Sequence, residues 1–165
     1  MRFVKFAKMK IPESKSIYYV GVQIILLILY FTPFIDYPFH TVSYLKTGSI
    51  VIGFFGLLVI VLAIIQLNKN LTPFPAPVEN GTLIQKGLYK FVRHPIYSGI
   101  ILSAIFFGVA DGSTLKTSIG FALYVLFYFK SKYEESLLEN RFPEYKIYKQ
   151  QLQVFSIFIT LIDLK

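Results

Sequence analysis

GSIVIGFFGLLVIVLAIIQL, Gly48 to Leu67, is a run of twenty residues without a single charge. At 1.5 Å per residue such a run makes a helix of about 30 Å, the thickness of a bilayer's hydrocarbon core. Its glycines, Gly48, Gly53 and Gly56, are small positions of the kind that let a neighbouring helix approach closely. Before it lies a second spanning-length run, Ile17 to Phe34, ended by Pro33 and the Asp36-Tyr37-Pro38 stretch. After it come two shorter runs, Ile96 to Ala110 and Leu115 to Phe129, with Asp111-Gly112-Ser113 between them as a tight turn. Each short run would give only about 22 Å of helix. The expectation is a helical hairpin that is extended by flanking residues or sits where the bilayer thins. The fold class that follows is all-α: an integral membrane bundle of about four transmembrane helices, the third and fourth forming a short hairpin, plus an amphipathic C-terminal helix.

Composition agrees. The chain has 165 residues, enough for a single domain over 1–165, with 55% apolar and only 16% charged residues. Soluble domains carry about 25% charged residues, so this chain cannot cover itself with polar surface and lipid must solvate much of it. The 12 tyrosines suit a membrane interface, and the absence of cysteine excludes disulfides and thiol-based metal or nucleophile chemistry. No metal site is expected.

The net charge of +8 raises the possibility of nucleic acid, but the basic residues lie between apolar runs rather than along one helix face. Topology accounts for them. Arg2, Lys5, Lys8, Lys10 and Lys15 precede the first run; Lys69, Lys86, Lys90 and Arg93 separate the second from the third; Lys130, Lys132, Arg141, Lys146, Lys149 and Lys165 follow the fourth. Only Lys46 and Lys116 fall in the opposite loops, fifteen against two. By the positive-inside rule both termini and the long polar segment Asn68 to Arg93 should be cytoplasmic. The basic start, MRFVKFAKMKIPESK, lacks a small-residue cleavage site and is not expected to be a removable signal peptide. TPFPAPVENG in the long segment reads as an ordered loop. Beyond Lys130 a charged helix carries Leu137, Leu138, Phe142 and Tyr145 at helical spacing, and Pro143 should break it. Val154 to Leu164 is too short to span and should lie in the interface or pack on the bundle.

Two polar segments could carry chemistry, and the expected topology puts both on one face. In GLYKFVRHPIYSG, Gly87 to Gly99, Pro95 suits the first position of a helix, where its missing N–H costs nothing. That helix would aim its N-terminus, with free N–H groups and partial positive charge, at a carboxylate or phosphate. Gly99 permits close approach of a helix or ligand. Taken singly, Arg93 also reads as a lipid-phosphate anchor, His94 as a cap, and Tyr89 and Tyr97 as interfacial aromatics. In KSKYEESLLENRFPEYKIY, Lys130 and Glu134 are spaced as an i, i+4 ion pair. Glu135, Glu139 and Glu144 read as a solvated helix face. Glu134, close to the membrane, has more reason to seek a cation.

RHPIYSG, with LIQKGLY before it and EESLL and RFPEYKIY about 40 residues after it, resembles the isoprenylcysteine carboxyl methyltransferases and the related phospholipid methyltransferases. The family pattern is an Arg-His-Pro-x-Tyr-x-Gly stretch preceded by Leu-Val-x-x-Gly-x-Tyr, then a Glu-Glu-x-x-Leu helix followed by a Phe-Gly turn and two tyrosines. The resemblance covers roughly Thr72 to Lys149, the expected catalytic half. It implies S-adenosyl-L-methionine as methyl donor. Leu83, Ile84, Tyr89, His94, Pro95, Ile96, Tyr97 and Glu134 would line the donor pocket, and Arg93, Glu134 and Lys130 would be the catalytic residues. In the eukaryotic enzymes a basic residue four before the glutamate orients the acceptor carboxylate. Here that residue is Lys130 rather than Arg, a point charge without a bidentate fork, and Pro143 replaces the glycine of Phe-Gly.

The residue types fit methyl transfer. A sulfonium donor carries its own driving force, so the protein mainly aligns the nucleophile behind the methyl carbon. The expected activity is methylation of a lipophilic or prenylated acceptor, an isoprenylcysteine-type carboxylate being nearest by analogy, with membrane lipid as surroundings and no nucleic acid. Phospholipid amine N-methylation, a steroid-reductase-like nicotinamide enzyme and a non-catalytic membrane subunit are the competing readings.

Overall fold

The computed structural model describes residues 13–32, 36–75 and 81–152. Residues 1–12 of the basic start, the loop centre at 76–80 and the last apolar segment at 154–164 lie outside the described residues. Among the described residues five α-helices follow in order: α1 Ser14–Phe31, α2 Ser43–Leu67, α3 Pro95–Asp111, α4 Thr114–Arg141 and α5 Tyr145–Gln151. Two of them, α1 and α2, are long and apolar enough to cross a membrane, and α3 is a shorter apolar helix.

Each boundary has a local cause. Thr32 adopts extended geometry at the end of α1, because Pro33 disfavours helix in the residue before it. The expected first span therefore moves three residues toward the N-terminus. α2 begins at Ser43 rather than Gly48, since the apolar run marks what belongs in lipid and not where helical hydrogen bonding starts. It stops at Asn68, whose φ of 47° is tolerated by a short polar side chain. α3 opens on Pro95, as expected, and ends at Gly112 in the left-handed region with φ 65°. Ser113 then caps α4 by accepting from the Lys116 N–H at 3.0 Å. The fourth apolar run and the charged segment after it form one uninterrupted helix of 28 residues, about 42 Å long. α4 ends before Pro143, and α5 starts two residues beyond it.

In space the packing order is α2, α3, α4, α1. The core lies between α1, α3 and α4 and is built on Tyr30, Ile101, Ala104, Leu123 and Phe127. The Tyr30 hydroxyl donates to the Ala104 carbonyl at 2.9 Å and fixes α1 against α3. Outer faces remain apolar: Ile25, Ile28 and Phe31 on α1, Val51, Phe54, Phe55 and Ile65 on α2, and Phe121, Val125 and Phe129 on α4 are all more than half exposed. Water would penalise such a surface, and lipid would not.

The two ends of the bundle differ. At one end the α1–α2 connection meets the α3–α4 turn: Phe39 donates to Gly112 O at 2.8 Å, Thr41 Oγ1 to Val109 O at 2.9 Å, and Asp36 Oδ1 accepts from Leu115 N at 2.9 Å. The start of α1, the α2–α3 segment, the C-terminal part of α4 and α5 gather at the other end.

α2 and α3 touch backbone to backbone. A Cβ placed on Gly56 would sit 2.8 Å from Gly99 O and 2.9 Å from Ser103 N, and one on Gly99 would sit 2.7 Å from Gly56 O. Gly53 faces the Phe107 ring, whereas Gly48 meets nothing within 4 Å. Of the three α2 glycines, Gly53 and Gly56 serve close approach and Gly48 does not. Gly99 is spent on helix contact rather than on a ligand. Gly56→Val should therefore destabilise the purified protein by about 1–3 kcal/mol, the usual range for overpacking, while Gly48→Ala should cost nothing and raise stability by up to about 1 kcal/mol. Thermal unfolding in detergent checks both.

Candidate functional site

The polar end of the bundle holds a cavity of about 330 Å3, within the 300–1,000 Å3 typical of small-molecule sites. Its floor is the start of α3, and α4 forms one wall. The α2–α3 segment and α5 cover it, and Gln23 of α1 reaches its edge.

The covering segment is held from two sides. Gly87, with φ 62°, opens a 3-10 turn over Gly87–Lys90. Gln66 at the end of α2 accepts from the Leu88 N–H at 2.8 Å and fixes that turn. The Tyr89 carbonyl accepts from the Tyr148 hydroxyl at 2.5 Å, so α5 holds the turn's other side. Tyr89 is buried rather than interfacial, and its hydroxyl pKa is raised by burial, then by Glu134 and Tyr148.

Arg93 and His94 are both buried. Arg93 is thus not a solvent-side anchor: its Nε lies 3.1 Å from Glu135 Oε1. His94 makes no side-chain cap. Its Nε2 lies 3.3 Å from Glu135 Oε1 and its Nδ1 3.7 Å from Glu134 Oε2. The ring stacks on Tyr97 at 5.3 Å, and Tyr97 stacks on Phe127 at 4.5 Å. Tyr97 then donates to Glu134 Oε2 at 2.7 Å. Pro95 and Ile96 complete the floor, and Leu83 and Ile84 line the cavity from the covering segment. Every expected site residue, from Leu83 to Glu134, lines this one cavity.

Two expectations about α4 need correction. Lys130 is 1% exposed and does not serve as a surface helix partner of Glu134. Its ammonium donates to Gln23 Oε1 at 2.7 Å and Pro73 O at 3.1 Å, and lies 5.2 Å from the Tyr97 ring centre. Glu135 is not on a solvated face, being 3% exposed. Its second oxygen, Oε2, lies 2.9 Å from Lys149 Nζ, which also bonds Glu139 at 3.0 Å. Glu144 is exposed, as expected, and Glu139 is half-buried.

Sequence reasoning missed Glu135, which is buried beside the candidate site without lining the cavity. A signal was present: Phe127, Ser131, Glu135, Leu138 and Phe142 follow one helical stripe, and that stripe faces inward. Burial alone would push the Glu135 carboxyl up, but His94, Arg93 and Lys149 more than offset this and hold it at about 2. The ordinary value is 4.5. A depressed folded-state pKa contributes stability that is complete above the ordinary value and is lost as pH falls through the folded one. Glu135→Gln should thus lower stability by about 3 kcal/mol near neutral pH. The gap in melting temperature from the unsubstituted protein should close between about pH 4.5 and about pH 2. Melting curves across that range check it.

Comparison with curated proteins found none that matches the chain. The Isoprenylcysteine carboxyl methyltransferase (ICMT) family matches residues 49–140, more than half of the chain and the part that supplies most of α2, the covering segment, α3 and nearly all of α4. The chain belongs to this family of membrane-embedded methyltransferases, whose enzymes are generally dependent on S-adenosylmethionine.

Proposed function

We propose that this protein transfers a methyl group from S-adenosylmethionine to the carboxylate of a lipophilic, isoprenylcysteine-type acceptor. The observation that carries the reading is the single cavity in which a buried cation, a partly open carboxylate and the start of α3 converge beneath apolar walls.

The chain's residues suit the donor. Two polar atoms of cavity-lining residues are buried with no hydrogen-bond partner among the described residues, Arg93 Nε and Tyr145 Oη. Arg93 Nε is close enough to Glu135 for an ion pair but not aligned for a hydrogen bond. An anionic oxygen at the start of α3 would satisfy it, with help from the free N–H groups of that helix. Glu134, whose side chain is 25% exposed, would face the donor's ammonium or sulfonium charge. Leu83, Ile84, Leu138 and Phe142 offer apolar surface to a flat heterocycle. When bound, the donor supplies an electrophilic methyl group. The protein's part is to hold that group in line with the acceptor and to exclude water.

Lys130 supports a carboxylate acceptor. Its ammonium spends two N–H donors on Gln23 and Pro73 and keeps one for a single oxygen. A phospholipid amine would have to lose its proton before it reacts, and a charged Lys130 is no base to take it. Leu67, Leu71, Ile96 and Ile100 give the cavity an apolar side between α2 and α3, suited to a prenyl or acyl tail. A carboxylate is already ionised at neutral pH and needs no general base.

The proposed orientation puts both termini and the cavity in the cytoplasm and has α3 and α4 cross with α1 and α2. Its support is the fifteen-to-two partition of Lys and Arg and the gathering of the site elements at one end of the bundle. With no native cysteine, single substitutions report cleanly. Lys46→Cys should be modified by an impermeant thiol reagent from outside the cell and Lys86→Cys only after the cytoplasmic side is opened; the reverse pattern would reject this orientation.

Calorimetry with the purified protein tests the donor. S-adenosylmethionine and S-adenosylhomocysteine should bind and reduced nicotinamide dinucleotides should not; the opposite result favours the reductase reading. Glu134→Gln removes a charge-assisted contact worth about 1.5–3 kcal/mol and should weaken donor binding roughly ten- to a hundredfold. Lys130→Met should leave donor affinity within about threefold and instead raise KM for a farnesylated N-acetylcysteine. Unchanged donor affinity in a folded Glu134→Gln would take Glu134 out of the site.

A further inference from the structure

Tyr145, the first residue of α5, lies beyond the segment that the family match covers. It is 2% exposed, one of the largest fully buried side chains. Its ring packs with Tyr148, Leu152, Leu83, Leu138 and Phe142. That cluster accounts for the ring but not for the hydroxyl. Three other tyrosines packed in the bundle use theirs: Tyr30 donates to Ala104, Tyr97 to Glu134 and Tyr148 to Tyr89. The Tyr145 hydroxyl has no partner among the described residues. Leaving a buried hydroxyl unbonded costs free energy that a phenylalanine would not. The residue lines the same cavity as Arg93, whose Nε is also unbonded.

The surroundings say what would pair with it. Glu135 and Glu134 both act on it by charge, but the Oε1 of Glu135 faces Arg93 and His94 and its Oε2 faces Lys149, while Glu134 accepts from Tyr97. Burial, and then Glu135, push the Tyr145 hydroxyl pKa up, with Arg93 opposing. The hydroxyl therefore stays protonated and acts as a donor. Two unsatisfied donors on one cavity, one of them on a cation, call for an oxygen acceptor with negative charge.

We propose that the Tyr145 hydroxyl is a binding group for the methyl donor and takes, with Arg93, the carboxylate of its amino-acid end. The proposal rests on the donor reading given above and deepens it, since it makes α5 part of the donor site rather than only a cover. The Tyr148–Tyr89 and Lys149–Glu135 contacts then hold Tyr145 in place.

The test titrates full-length protein, unsubstituted and Tyr145→Phe, with S-adenosylhomocysteine and with methylthioadenosine, which lacks the amino-acid end. Melting temperature is measured without ligand. Tyr145→Phe should weaken S-adenosylhomocysteine binding about tenfold or more and leave methylthioadenosine binding unchanged. Its ligand-free melting temperature should be equal or higher, because the variant removes an unsatisfied buried hydroxyl. A structural role gives the opposite pattern, a lower melting temperature with the affinity of the folded protein intact, and overturns the proposal. Equal loss for both ligands also overturns it, by placing the hydroxyl away from the carboxylate. If the unsubstituted protein binds neither ligand, the donor reading itself fails, a result distinct from failure of the Tyr145 assignment alone.

Discussion

One buried carboxylate joins three parts of the chain. Glu135 on α4 faces Arg93 and His94 at the start of α3 through one oxygen and Lys149 on α5 through the other. Removing an ion from water is expensive unless its lone pairs are filled by well-placed partners. Glu135 therefore demands its cations, and meeting that demand sets where the α3 N-terminus and α5 sit. With Arg93 and His94 placed, the stack of His94 on Tyr97 and Tyr97 on Phe127 follows. Tyr97 in turn orients Glu134 by its hydrogen bond. The two adjacent glutamates thus do different work: Glu135 is enclosed and organises the floor, while Glu134 stays partly open toward the cavity.

That arrangement depends on the length of α4. A helix ending with its apolar run at Phe129 would leave the acidic residues in a flexible tail. α4 instead continues to Arg141 without a break, so a helix that begins in an apolar run becomes the wall of a polar site. Rigid helical projection is a precise way to place charged groups beyond an apolar region. The close α2–α3 contact at Gly56 and Gly99 does the same for the floor, because it brings Gln66 and the turn it holds next to the start of α3.

Much of this was legible in the sequence, for particular reasons. The apolar runs located all four long helices, and Pro95, Gly112 and Pro143 marked their boundaries through backbone chemistry that tertiary context cannot override. The exact starts of α1 and α2 were not legible, because hydropathy reports what contacts lipid while helical hydrogen bonds extend into polar flanks. Gly48 read like Gly53 and Gly56, yet only packing distinguishes a glycine facing a helix from one facing open space. Glu135 was misassigned because a glutamate in a charged stretch is normally solvated. Its position on the stripe through Phe127 and Leu138 carried the opposite information, and the cations that justify its burial, Arg93 just before α3 and Lys149 on α5, are distant in sequence.

Lys130 shows how the substitution of one cation for another acquires meaning only in its surroundings. An arginine there would present a planar fork of five donors. The lysine ammonium fits between Gln23 of α1 and the Pro73 carbonyl, above the faces of Tyr97 and Phe127, where a compact charge is satisfied from several directions. It therefore ties α1, which lies outside the family match, to the covering segment and to the aromatic stack beneath. On the proposed reading, the acceptor's carboxylate meets one N–H rather than a fork. Its orientation then depends less on charge pairing than on the apolar side of the cavity at Leu67, Leu71, Ile96 and Ile100. Selectivity would accordingly reside in the tail: the membrane-facing part of the acceptor sets the geometry, and the single contact at Lys130 fixes which end reacts.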